Sequence, residues 1–201
     1  MEINWEYCGR KICYKMKKLV FLLEEPSMKE VLTIILPKII PLTFTFQCIP
    51  HNGKSALKKS IPIKTKGWRE PNVQFIIVHD KNSSDCKKLK EELYNLIDSS
   101  KRTNTLVRIV CTELESWFLG DLNAVEKGYN TNLSAYKAKA LFRNPDIILN
   151  AKQELRKLIP TYQPISGSNT ISQFMDITKN NSHSFNVFVS GVKNLVKEPL
   201  D

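Results

Sequence analysis

The stretch VQFIIVHDKNSSDCKKLKEELYNLI, residues 73–97, decides the fold that the sequence predicts. Residues 73–78 are rich in branched and aromatic apolar side chains and predict a buried strand. A polar turn that holds two carboxylates, Asp80 and Asp85, follows this strand. Beyond the turn, Ser83 or Ser84 is available as an N-cap, and apolar residues recur at helical spacing: Cys86, Leu89, Leu93, Leu96 and Ile97. The segment therefore predicts a strand, a turn and a helix, which is the repeating unit of an α/β sheet.

Three further segments carry a strand signal. Residues 19–23 are apolar on both faces, residues 41–49 are rich in β-branched and aromatic side chains, and residues 105–111 follow as another strand. Helices are predicted over residues 27–40 and 112–129, the second with a break near Gly120. The basic stretch 50–72 predicts a loop with one short helix. This alternation predicts an α/β fold with a mostly parallel sheet flanked by helices.

The strand signal stops beyond Tyr129. Residues 150–160 and 182–198 predict helices, which are joined by loops that contain proline and glycine. We therefore expect a peripheral leader at residues 1–15, an α/β domain at residues 16–128, and a helical C-terminal extension at residues 129–201 that packs on this domain.

Charge and composition restrict the classes of partner. The chain has 201 residues and a formal net charge of +10, which favours a polyanion such as nucleic acid, although excess charge can also serve solubility alone. The sequence has no apolar run near the ~20 residues that cross a bilayer, and residues 1–18 do not resemble a signal peptide. We therefore expect a cytoplasmic protein without a membrane partner. The five cysteines lack a CxxC pair or zinc spacing, so we interpret them as reduced packing residues.

Acidic residues follow the predicted strands at the ends where open parallel sheets bind ligands. Glu24 follows the first strand, Asp80 and Asp85 follow the third, and Glu113 follows the fourth. Carboxylates that converge there repel one another unless a divalent cation such as Mg2+ or Mn2+ neutralises them. Glu115 lies on a different side of the predicted helix from Glu113, so we expect Glu113 to face the site. The alternative is that Asp85 caps a helix and Glu24 is solvated in a turn.

Basic residues form a second group of candidates. Residues 52–70 contain six Lys or Arg and one acid, which is a charge balance suited to contact with phosphates. We select His51, Lys54, Lys58 and Lys59 as candidate nucleic-acid-binding residues. A solvated basic loop without a ligand is the alternative interpretation.

The order of these motifs resembles a known arrangement. FLLEE after the first strand and VHDKN after the third are similar to the Glu and Asp-x-Asp elements of Toprim domains, the metal-dependent catalytic domains of topoisomerases, primases and OLD-type nucleases. LVFLLEEPSMKEVL, HNGKSALKKSI, VRIVCTELESWFLGDL and SFNVFVSGVKNL more specifically resemble, in that order, an uncharacterised bacterial family with a domain of unknown function. That family is regarded as Toprim-like and is associated with mobile or defence-related genes. The resemblance covers residues 17–195.

This resemblance implies a set of site residues. Glu24, Asp80 and Asp85 would be catalytic and would hold Mg2+ or Mn2+, with Asn82 as a further metal ligand. Glu113 is added as a candidate metal ligand because it lies near the end of the fourth strand. The family pattern has an acid where this chain has Asn82, and a neutral ligand lowers the expected affinity for metal.

Two functions follow from these observations. One is a Mg2+-dependent nuclease or related phosphoryl-transfer enzyme of Toprim type. The other is a non-catalytic module that has lost part of its metal site and binds nucleic acid or a partner protein such as an ATPase subunit. Monomer and homo-oligomer are both compatible with the sequence.

Overall fold

The computed structural model describes residues 16–197 and contains one parallel sheet. The sheet has four strands in the order β2-β1-β3-β4, and each recorded strand pair is parallel. The strands are β1 (Lys17–Leu23), β2 (Phe44–Pro50), β3 (Val73–Asp80) and β4 (Thr105–Val110). The predicted fold class, an α/β sheet flanked by helices, is therefore confirmed. The predicted leader at residues 1–15 lies outside the described residues.

The two central strands are buried on both faces. In β1, Leu19, Phe21 and Leu23 face one apolar cluster, while Val20 and Leu22 face another on the opposite side of the sheet. A strand in this position needs apolar side chains at odd and even positions alike, which is why residues 19–23 lack a polar face. The same requirement explains the apolar run in β3.

Nine α-helices in the described residues surround the sheet. They are α1 (Pro26–Ile35), α2 (Lys54–Gly67), α3 (Cys86–Asn95), α4 (Glu115–Leu119), α5 (Leu122–Tyr129), α6 (Ser134–Lys137), α7 (Ala151–Leu158), α8 (Pro164–Ser172) and α9 (His183–Leu195). Short 3-10 helices occur at Leu36–Lys38, Ser99–Asn104, Ala140–Arg143 and Pro145–Ile147. The helices α2 and α3 cover one face of the sheet, whereas α1, α4 and α9 contribute to the cluster on the other.

Two predicted elements differ in length from the observed helices. The basic stretch predicted as a loop with one short helix forms α2, a helix of 14 residues, because Leu57, Ile61 and Thr65 recur every four residues and bury one face of it. The helix predicted over residues 27–40 ends at Ile35 and continues only as a 3-10 turn. Pro37 lies in that turn, and its missing N–H and ring geometry disfavour a longer α-helix.

The break predicted near Gly120 is confirmed. Gly120 separates α4 from α5 and lies so close to Asn180 that a Cβ atom there would be 2.1 Å from the Asn180 side-chain oxygen. Asn180 in turn donates a hydrogen bond to the Trp117 carbonyl at 2.9 Å. The absence of a side chain at Gly120 therefore allows the segment before α9 to close against the end of α4.

The C-terminal helices share a hydrophobic core with the sheet. Phe188 of α9 is fully buried, and its ring centroid lies 6.5 Å from that of Phe21 and 5.1 Å from that of Trp117. Trp117 and Phe118 are fully buried in the same core. Among the described residues, no helix is both long and apolar enough to cross a membrane.

Candidate metal and phosphate site

Glu24 and Asp80 meet at the carboxyl end of neighbouring strands. The β1–β3 register pairs Leu23 with Val78, so the residues that follow these two positions emerge at the same edge of the sheet. The backbone N–H of Asp80 donates a hydrogen bond to Glu24 Oε2 at 3.0 Å. Glu24 is 8% exposed, so the alternative that it is solvated in a turn is wrong. Two acids from separate strands therefore come together as predicted.

The Asp80 carboxyl group is desolvated. Burial, followed by the charges of Glu24, Glu115 and Glu25, raises the pKa of Asp80 well above its usual range. The backbone N–H of Leu114 opposes this shift by donating a hydrogen bond to Asp80 Oδ2 at 3.3 Å. A bound cation would stabilise the ionised form of Asp80, because it would neutralise part of the negative charge of the cluster.

His79 contacts this pair, although the sequence analysis did not select it. The ring is 3% exposed, and its Nδ1 atom lies 3.0 Å from Glu24 Oε2 and 2.6 Å from the Asp80 carbonyl oxygen. Both neighbours are acceptors, so Nδ1 must carry the hydrogen. His79 precedes Asp80 at the end of β3, and its position beside an acid at a strand end was the available signal.

The loop after β4 supplies two more acids. Glu115 is 2% exposed, its Oε1 accepts a hydrogen bond from the Tyr162 hydroxyl at 3.0 Å, and burial raises its pKa. Glu113 is half-buried and accepts a hydrogen bond from the backbone N–H of Lys152 at 2.8 Å. Glu113 therefore binds the start of α7, whereas Glu115 is the acid whose charge reaches Asp80. The expectation that Glu113, and not Glu115, faces the site is wrong, because Glu113 contacts the start of α7 while Glu115 lies close enough to act on Asp80.

Lys152 provides a positive charge within this acidic cluster. Its Nζ lies 3.8 Å from Glu115 Oε1. Burial alone would lower the pKa of Lys152, but the carboxylates of Glu115, Glu25, Glu113 and Asp80 raise it above its ordinary value. The sequence offered no sign of this role, since Lys152 lies 39 residues beyond Glu113 and belongs to the C-terminal helices.

Asp85 and Asn82 have local roles in the loop after β3. Asp85 is exposed and is the N-cap of α3, where its Oδ1 accepts hydrogen bonds from the N–H groups of Lys87 and Lys88 at 3.0 and 2.9 Å. These bonds lower the pKa of Asp85. They confirm the alternative that Asp85 caps a helix, and the predicted N-cap at Ser83 or Ser84 is wrong. Asn82 is exposed, has a left-handed φ of 49°, and donates through its side chain to the Asp80 carbonyl at 3.4 Å.

The basic candidates divide between the site and the outer surface. The Nδ1 atom of His51 lies 2.8 Å from the Leu23 carbonyl, which places the ring directly beside the strand end that leads to Glu24. Lys54 is exposed at the start of α2, on the same edge of the sheet. Lys58 forms an ion pair with Glu92 of α3 at 2.6 Å, while Lys59 is exposed.

A small pocket adjoins the acidic pair. It measures about 10 Å3, and its lining includes Glu24, Glu25, Asp80 and Leu114. This volume suits a water molecule or an ion and excludes a larger ligand. Hard carboxylate oxygens are the donors that Mg2+ prefers, and Mg2+ commonly uses one or two carboxylates with water and phosphate oxygens as its remaining ligands. The residues therefore fit a Mg2+ site with few protein ligands, although the described residues contain no group of three or more His, Cys, Asp or Glu arranged to hold a metal ion.

Comparison with known proteins identifies a family. The family model for a domain of unknown function, DUF4276, matches residues 23–193. The chain belongs to the DUF4276 family. The matched range includes β2 to β4, the acidic site and most of α9, so the family covers the α/β part and the C-terminal helices together. No curated protein and no solved structure matches the chain.

Proposed function

We propose that this DUF4276 protein is a Mg2+-dependent phosphoryl-transfer enzyme of Toprim type that cleaves nucleic acid. The observation that carries the proposal is the hydrogen bond from the Asp80 backbone N–H to the Glu24 carboxylate, which holds Glu24 beside the buried Asp80 so that its charge acts on the Asp80 carboxyl group. Clustered carboxylates at a ligand-binding sheet edge are unfavourable by themselves, and a divalent cation relieves that repulsion.

The residues at this site have different roles in positioning Glu24, binding the metal and transferring a proton. The N–H of Asp80 and the His79 ring fix Glu24 Oε2, and the described residues include no recorded partner for Oε1. We assign Glu24 Oε1 and the Asp80 carboxylate to the metal, and Glu24 also to proton transfer at the attacking or leaving oxygen. When bound, Mg2+ supplies Lewis-acid stabilisation of the negative charge on the scissile phosphate.

Positive side chains around the acids are suited to the nucleic-acid backbone. Lys54 lies at the same sheet edge as Glu24, and Lys152 lies against Glu115. With a net charge of +10, the chain attracts phosphates from solution even though its site is acidic. We assign Lys54 and Lys59 to phosphates that flank the cleaved bond, and Lys152 to a phosphate near the metal. On the resemblance to OLD-type nucleases, we extend the proposal to a cytoplasmic role in a defence or mobile-element system with a partner ATPase.

One observation favours a second candidate function, a binding module without catalysis. The position of the second acid of Asp-x-Asp holds Asn82, whose side-chain amide donates to the Asp80 carbonyl and contributes no negative charge. A site of this kind binds Mg2+ weakly, so the protein could retain phosphate binding after cleavage is lost.

Metal binding and cleavage distinguish the two candidates. We would measure Mn2+ and Mg2+ binding by calorimetry, and cleavage of plasmid, single-stranded DNA and RNA, for the wild type, Asp80→Ala and Asn82→Asp. The enzyme proposal expects loss of binding and cleavage in Asp80→Ala. It expects about tenfold tighter metal binding in Asn82→Asp, because one charge is added and aspartate tolerates the left-handed backbone.

Glu91→Gln is the matched control, since Glu91 is an exposed carboxylate of α3 outside the cluster. It should leave both measurements unchanged. The enzyme proposal is wrong if neither the wild type nor any variant binds metal or cleaves a substrate, while the wild type still binds nucleic acid. That outcome would support the binding module without catalysis.

A further inference from the structure

Two cysteines from different loops lie in contact beside the candidate site. Cys86 is the first residue of α3, and Cys111 follows the last residue of β4. Their sulfur atoms are 3.7 Å apart, and both residues are partly exposed. The two cysteines are 25 positions apart in the sequence, so the contact depends on the tertiary fold and not on local sequence.

Backbone hydrogen bonds hold these loops in register. The N–H of Lys81 donates to the Val110 carbonyl at 2.8 Å, and the N–H of Asn82 donates to the Thr112 carbonyl at 2.8 Å. The acceptors flank Cys111 on both sides. The donors lie in the turn that leads to Asp85 and the start of α3, which carries Cys86. The two sulfurs are therefore kept close by the fold, and they must approach from 3.7 Å to form a bond of about 2.05 Å.

We propose that Cys86 and Cys111 are a site of reversible oxidative modification, at which a peroxide or small-molecule disulfide closes an intramolecular disulfide between the β3–α3 and β4–α4 loops. Membership of the DUF4276 family gives these two thiols no role, and the proposed nuclease function does not use them. The proposal concerns only the two thiols and holds whether or not the neighbouring acids bind a metal.

Hydrogen peroxide oxidises the two thiols in two steps. The sulfur of one cysteine attacks a peroxide oxygen, the O–O bond breaks, and the products are a sulfenic acid and one water from hydrogen peroxide. The second sulfur then attacks the sulfenic sulfur, the S–O bond breaks, and the departing hydroxide takes up the second thiol proton as water. Two thiols are oxidised by two electrons in total, and one peroxide is reduced to two waters. A dithiol reductant reverses the reaction by thiol–disulfide exchange.

Either sulfur can react with the oxidant first, because both residues are partly exposed and their sulfur atoms lie 3.7 Å apart. Cys48 provides a contrast, because it is a partly buried free thiol of β2 for which no sulfur neighbour is recorded among the described residues.

Peptide mapping of the whole chain tests the proposal. The protein is treated with hydrogen peroxide or oxidised glutathione, free thiols are alkylated, and the chain is digested with trypsin without reduction. Cleavage after Lys81, Lys87, Arg108 and Lys127 places the two cysteines on separate peptides, residues 82–87 and 109–127. We expect these peptides as one species, two hydrogen atoms lighter than their sum, and their separation after reduction. The oxidised protein should also melt at least about 3 °C above the reduced protein, since the bond closes a loop in the unfolded chain.

Cysteine variants test whether Cys86 and Cys111 are the two residues that become linked. Cys48→Ser should form the linked species as the wild type does, whereas Cys86→Ser and Cys111→Ser should not. The chain has five cysteines, so other pairings would be detected in the same map. Oxidation that leaves peptides 82–87 and 109–127 unlinked in the wild type, or that joins either one to a different cysteine instead, overturns the proposal.

Discussion

At the scale of single residues, Asp80 is a buried carboxyl group close to other acids. It follows an apolar strand, and its carboxyl group is surrounded by protein and by the charges of Glu24, Glu115 and Glu25. Because these surroundings raise its pKa, the folded protein binds a proton at Asp80 more tightly than the unfolded chain does. The resulting stability is fully present below about pH 4, the usual pKa of aspartate, and is lost as the pH rises through the raised pKa.

Asp80→Asn should therefore stabilise the metal-free protein. The amide has no charge but keeps an oxygen that can accept the Leu114 N–H. We expect the Tm at pH 7 to rise by at least about 3 °C, which corresponds to roughly 1 kcal/mol in a chain of this size. The difference from the wild type should shrink toward zero at pH 4. Thermal unfolding from pH 4 to pH 8 in the presence of a chelator measures this, with Glu91→Gln as control. A variant that is less stable than the wild type at pH 7 would contradict the assignment.

Lys152 has the opposite role, since it compensates the buried Glu115. Lys152→Met removes the charge while keeping a long apolar stem, and should destabilise the fold by about 1 kcal/mol, because the pair is partly exposed. Adding Glu115→Gln should recover much of that loss, since the uncompensated carboxylate is removed while an oxygen remains for the Tyr162 hydroxyl. Urea unfolding of the two single variants and the double variant measures the coupling. Purely additive effects would show that the two side chains do not interact.

At the scale of secondary-structure elements, α2 presents a basic surface beside the acidic edge of the sheet. Leu57 and Ile61 bury one side of the helix, which leaves Lys54 and Lys59 exposed on the other. Lys58 is already paired with Glu92, so its charge is partly neutralised within the protein. Because residues 54–67 form a helix, Lys54 and Lys59 are exposed whereas Lys58 is paired with Glu92. The three lysines are therefore not equivalent candidates for contact with phosphates.

Lys54→Ala with Lys59→Ala should weaken nucleic-acid binding without changing sequence preference. Phosphate contacts release counterions, so the slope of log affinity against log salt should fall by about 1 for each lysine that contacts a phosphate. Fluorescence anisotropy at several salt concentrations measures the slope. Lys127→Ala with Lys193→Ala is the matched control, because it removes the same charge from exposed positions of α5 and α9. Equal effects of the two pairs would show that net charge alone governs binding.

At the scale of the whole molecule, the C-terminal helices and the sheet belong to one core. The cluster on one face of the sheet includes Phe21 of β1, Trp117 of α4 and Phe188 of α9. The acidic site also depends on this arrangement, because Lys152 and Tyr162, which contact Glu115, both come from the C-terminal part of the chain. Loss of that part would leave Glu115 buried without these partners.

Phe188→Ala should accordingly destabilise the entire protein. Removing a fully buried phenylalanine that packs on two aromatic rings costs about 3–5 kcal/mol. Denaturant unfolding followed by both tryptophan fluorescence and circular dichroism should show one transition at a lower midpoint. Val187→Ala, at a partly exposed neighbouring position, should have a much smaller effect. Two separate transitions would indicate that the C-terminal helices unfold independently of the sheet.

The sequence by itself determined the parallel α/β fold and the position of Glu24 and Asp80 at the carboxyl ends of their strands. Central strands need apolar residues on both faces, and parallel strands place their carboxyl ends at one edge, so both features follow from local pattern and topology. Only the tertiary structure decided which other charges join the pair. Lys152 and Glu115 reach the cluster through the turn after β4 and the packing of α7, and Asp85 is directed to the start of α3 by the backbone N–H groups there. Those choices depend on contacts between residues far apart in the chain, and sequence periodicity carries no information about such contacts.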